Sequence, residues 1–105
     1  MKTHATPEPK FTCLTQARAT RDRLAGMLCD DLEQIEDSKK AKSVTESICN
    51  AEEGWSASLT HWGQKLKDQL NGISPDHLDY ITSLRECIAW IYAEERRQVA
   101  AANAK

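Results

Sequence analysis

Three histidines and four cysteines are the side chains of this 105-residue chain whose types first suggest chemistry, and none stands at a spacing that chemistry requires. His4 lies in the first ten residues, His61 on the polar side of an amphipathic stretch, and His77 in the first turn of the last one. Neither His61 nor His77 has a carboxylate or second histidine at ligand spacing on its own helix face, so surface or capping roles are expected for both. Cys13, Cys29, Cys49 and Cys87 match no zinc or redox spacing and are expected to be reduced thiols that pack as small apolar residues. Two disulfides stapling a helical bundle in an oxidising setting is the alternative. A cysteine hydrolase built on Cys49 or Cys87 with His61 would need an activating environment that these neighbours do not supply. Paired Glu-x-x-His motifs, glycine-rich phosphate loops and nucleophile elbows are missing. The expectation is a protein without catalytic residues, cofactor or metal.

The totals narrow the remaining classes. With 40% hydrophobic residues the chain is one domain with a modest core, and four glycines, three prolines and six aromatics favour long helices over a sheet. A formal charge of -2 argues against a dedicated nucleic-acid binder, which normally presents a basic face to displace counterions. No apolar run resembles a secretory leader or a membrane span, so a soluble, cytoplasmic protein is expected, with no membrane and no direct nucleic-acid partner.

Three elements carry the apolar pattern, after a loosely held N-terminal tail at residues 1–10 that contains Pro7 and Pro9. Over 11–37, Leu14, Ala17, Leu24, Ala25, Leu28, Leu32 and Ile35 form one stripe, interrupted by Arg21, whose stem either snorkels along apolar surface or marks the approach of a second chain. Asp30, Asp31, Glu33, Glu36 and Asp37 then give way to Lys39, Lys40 and Lys42, which reads as a solvated helix end and a turn at 38–42. Over 43–71, Val44, Ile48, Ala51, Trp55, Leu59, Trp62, Leu66 and Leu70 form an uninterrupted stripe, with Gly54 and Gly63 marking a bend or a close helix approach. Asn71 and Gly72 supply a stop, Ser74 an N-cap and Pro75 a first helical position for a helix over 75–101. Ile81, Leu84, Ile88, Ile91, Tyr92 and Val99 share its core face, and Trp90 stands opposite with Asp79, Glu86, Glu94 and Arg97. A DNA-reading role for this helix is disfavoured by Asp76 and Asp79 at its start.

Short connections predict three long antiparallel helices, up-down-up, as one domain over 11–105, with Trp62 level with Arg18 and Leu84, and Trp55 with Ala25 and Ile91. That alignment places the Arg18 guanidinium over the Trp62 ring. Met27, Tyr80, Cys87 and Trp90 lie outside a single stripe, so a slim bundle leaves apolar surface to bury, and a twofold homodimer is the commonest solution. The expected partner or dimer interface comprises Trp55, Leu59, Trp62, Leu66, Tyr80, Cys87, Trp90, Ile91 and Arg97, since aromatics and arginine anchor interfaces.

In size, acidity and all-helical make-up, from the Ser74-Pro75 cap to the Trp90-Ile91-Tyr92 segment, the chain resembles the small bacterial antiactivators that sequester LuxR-type quorum-sensing transcription regulators. The resemblance implies a homodimer that occupies the regulator's own dimerisation surface and blocks DNA binding. Rival readings are a phage-type or immunity-type helical inhibitor or adaptor of another protein, a small thiol enzyme, and a homodimer with no further partner.

Overall fold

The structure, a computed structural model, describes residues 13–70 and 75–103. The described residues are helical throughout, without a strand: α1 spans Leu14–Leu32, α2 Ser38–Cys49, α3 Trp55–Gln69 and α4 Tyr80–Asn103, with a 3-10 turn over Pro75–Asp79 leading into α4. The all-helical class follows from the apolar periodicity. The expected number of long helices does not.

The stretch expected to run unbroken over 43–71 is two helices. Backbone N–H groups of Ala51 and Glu52 turn back onto Ile48 and Ser47, Ala51 takes a φ of 52°, and Gly54 takes a φ of 81° immediately before α3. Left-handed backbone is the conformation that glycine adopts at least cost, so Gly54 permits a sharp reversal instead of a close helix contact. Gly63 does serve close approach: a Cβ there would lie 3.4 Å from Cδ1 of Ile81 on α4. The expected turn at 38–42 is also helical. Asp37 caps α2 by accepting the Lys40 N–H at 2.7 Å, which lets the helix begin at Ser38 and bury Ala41 completely. α1 ends earlier than expected, at Leu32, where a tight turn directs Gln34, Ile35 and Glu36 N–H groups back to Asp31 and Leu32.

α4 is the central element. It packs most extensively on α1 and also meets α3 and the 3-10 turn. Ala17 clusters with Cys87 and Ile91, while Asp31 reaches Tyr80, so α1 and α4 run antiparallel. Most of the core is one cluster: Leu24, Leu28 and Leu32 of α1, Ala41 and Ile48 of α2, Leu59, Trp62 and Leu66 of α3, and Tyr80, Leu84 and Ile88 of α4. Burying each such side chain contributes roughly 1.5–3 kcal/mol before the entropy of ordering is set against it. Because α4 has neighbours on two sides, its buried surface is wider than one stripe. That accounts within a single chain for Tyr80 and Cys87, which were expected to spill outside it. Trp90 is likewise half-buried against the Ala17–Cys87–Ile91 cluster, together with Leu14, and is not a stray surface aromatic. The Ser74 cap and the Asn71-Gly72 stop lie outside the described residues, as does the N-terminal tail; Pro75 begins the 3-10 turn, so the last long helix starts later than expected. Among the described residues no helix is long and apolar enough to cross a membrane.

Candidate functional site

The positions expected to form an interface divide sharply. Leu59, Trp62, Leu66 and Tyr80 belong to the main core, and Cys87 and Ile91 to the smaller cluster beside it. Trp55 and Trp90 are half-buried, and Arg97 is exposed, donating to Glu94 on its own helix. The nine therefore do not form one surface. What the fold leaves outside is Met27 on α1 and, on α4, Tyr92 at 45% and Val99 at 59% exposure.

Tyr92 and Val99 stand seven residues apart, one above the other on α4. Both lie on the C-terminal half of α4, where Arg18, one turn into α1, meets Glu95 at 2.7 Å. This half of the helix also carries pairs among its own side chains. Arg96 lies over the Tyr92 ring at 5.4 Å and donates to its hydroxyl, while Arg97 and Gln98 both donate to Glu94. These donors hold the Glu94 carboxyl below its ordinary value. Such i,i+3 and i,i+4 pairs support a solvated helix segment weakly, being screened by water. The result is a solvated helix carrying an aromatic and a β-branched side chain on one line.

A second constellation was invisible in the pattern of the chain. Asp31, read as part of a solvated acidic helix end, is almost fully buried. The Tyr80 hydroxyl donates to its Oδ2 at 2.5 Å, and Nε2 of His77 lies 3.1 Å from both carboxylate oxygens. His77 does keep a largely exposed ring, as expected, but its partner comes from another helix instead of its own face. Burial, and then the hydrogen bond to Asp31, push the Tyr80 hydroxyl far above its usual range, so it stays a donor at every physiological pH. No local signal points to this cluster: Asp31 stands three residues beyond Leu28, but between Asp30 and Glu33 it reads as part of the acidic helix end. The arrangement ties the turn before α4 to the last turn of α1.

A third grouping surrounds Trp62. The expected Arg18 contact is replaced, because α2 folds back beside α3 and Arg18 is engaged with Glu95. Nζ of Lys65 lies 5.0 Å from the Trp62 ring centroid and Nζ of Lys40 5.9 Å, and the His61 ring meets the indole edge-on at 5.2 Å.

All four cysteines are free thiols, as the spacing led us to expect. Cys49 lines an open groove of about 230 Å³ between α1 and α2 with Arg21, Asp22, Ala25, Thr45, Glu46 and Asn50. Arg21 lies along this groove with its Nε on Asp22 at 3.1 Å. Burial outweighs the nearby guanidinium and pushes the Cys49 thiol up to about 11, which leaves it protonated and a poor nucleophile near neutral pH. The Cys87 thiol is also raised by burial and donates to the Ala17 carbonyl. Among the described residues no group of three or more His, Cys, Asp or Glu side chains is placed to hold a metal ion.

Compared with known protein families, curated proteins and solved structures, the chain matches none.

Proposed function

We propose that the chain is a protein-binding inhibitor of the antiactivator kind: a cytoplasmic helical homodimer that sequesters a LuxR-type transcription regulator by occupying its dimerisation surface. The observation that carries the recognition reading is the C-terminal half of α4, which presents exposed Tyr92 and Val99 on one line. Amphipathic helices are read by partner helices through anchors at i, i+3, i+4 and i+7, and Tyr92 and Val99 have the i, i+7 relation. This line of side chains is the surface we assign to the second copy. The choice of a transcription regulator as target rests on the resemblance in size, acidity and helical make-up to the antiactivators. No step of this function requires a nucleophile, which accords with the Cys49 and Cys87 thiols being held towards their protonated forms.

The test is a pulldown from bacterial lysate with the tagged chain as bait, followed by mass spectrometry and by a DNA-binding assay on any regulator recovered. A LuxR-type regulator that co-purifies and loses its operator binding in stoichiometric mixture supports the proposal. Recovery without such a regulator, or a regulator whose DNA binding is unchanged, contradicts it.

A further inference from the structure

The α2–α3 seam holds two cations without an anion. Lys40 comes from the first turn of α2 and Lys65 from the third turn of α3, and the reversal at 50–54 sets both against the indole of Trp62. His61 flanks the same ring. Among the described residues no carboxylate lies within salt-bridge distance of either ammonium; the ion pairs found there involve Arg18, Arg21, His77 and Arg97 instead. The lysine stems cover an indole that is itself nearly buried, so the ring fixes where the two charges sit. A surface that gathers like charge from two helices, with no carboxylate of the described residues at ion-pair distance, is complementary to an anion from outside.

We infer that this seam is a docking site for an acidic segment of a protein partner, whose Asp or Glu side chains pair with Lys40 and Lys65 beside His61 and over Trp62. The inference rests on the protein-recognition reading above for the class of partner. A nucleic acid fits less well. The N-cap Asp37 sits three residues from Lys40, and Asp30, Glu33 and Glu36 of the acidic stretch precede it, so a polyanion extending from the seam towards the start of α2 meets carboxylates. A short acidic side chain needs to reach only the two ammoniums.

The experiment uses the full-length, 15N-labelled chain, titrated with hexaglutamate amide, with hexaglutamine amide and with hexathymidylate, and followed in assigned amide and indole spectra. Hexaglutamate is expected to shift the Trp62 indole and the signals of Lys40, His61 and Lys65, and the effect should fade with added salt. A Lys40→Gln/Lys65→Gln chain, with an unchanged circular dichroism spectrum, is expected to bind hexaglutamate about tenfold more weakly, the loss of two exposed charge pairs. No response to hexaglutamate, an equal response to hexaglutamine, or undiminished binding by the double variant overturns the proposal, and a stronger response to hexathymidylate at the same residues overturns it in favour of nucleic acid. Retrieval of a regulator by the Lys40→Gln/Lys65→Gln chain as efficiently as by the parent keeps protein recognition and removes this seam from it.

Discussion

The two ends of the α1–α4 pair are built differently. At the Tyr80 end the helices are joined through a buried carboxylate that receives a tyrosine hydroxyl and faces a histidine nitrogen, all with defined directions. At the Ile91 end they meet through Ala17, Cys87 and Ile91, with Leu14 and Trp90 alongside and the solvent-exposed Arg18–Glu95 pair beyond. Apolar contact is nondirectional and tolerates sliding, whereas a buried carboxylate without its donors is heavily penalised. The comparison implies that register is set at the Tyr80 end.

Removing the acid should break this asymmetry most severely. Asp31→Ala leaves a buried hydroxyl without its acceptor and is expected to lower unfolding free energy by about 3 kcal/mol in urea titrations. At the other end, Ile91→Ala is expected to cost about 2 kcal/mol, near the lower bound for truncating a buried isoleucine, because the cluster around it is small and half open. Alkaline pH gives a smaller effect with a defined sign. Burial raises the Cys49 thiol from 9.0 to about 11, so its contribution is fully present below pH 9 and disappears as the pH climbs through 11. Melting temperature should therefore fall over that window, and Cys49→Ala should make the fall shallower. Arg18→Ala is expected to change stability by less than about 0.5 kcal/mol, since its pair with Glu95 is exposed and screened. A loss comparable to that of Asp31→Ala would erase the proposed difference between the ends.

Local periodicity reveals the faces, and pairings across the fold escape it. Leu24, Leu28, Leu32, Ile48, Leu59, Leu66, Leu84 and Ile88 all lie on stripes that the sequence shows, and all are buried. The reversal between α2 and α3 is hidden because Ile48, Ala51 and Trp55 keep helical spacing across it, each short helix burying the same side of the pattern. Asp31 is hidden because its partners stand 46 and 49 positions away, and an acid beside Asp30 and Glu33 carries no local mark of burial. The Lys40–Trp62–Lys65 grouping depends on that hidden reversal, since a continuous helix would hold Lys40 far from Trp62. Of the apolar excess that suggested a second copy, Tyr80, Cys87 and Trp90 are absorbed by α4 having neighbours on two sides and Met27 stays exposed, while Tyr92 and Val99, expected on the core face of the last helix, are exposed instead.

Sedimentation velocity of the full-length chain and of its Tyr92→Asp/Val99→Asp variant tests the recognition claim most directly. The account predicts a concentration-dependent dimer for the parent and a monomer for the variant, with the same helical circular dichroism spectrum, because both side chains are exposed in the monomer. A parent that stays monomeric throughout the micromolar range, or a variant that dimerises equally well, would contradict it.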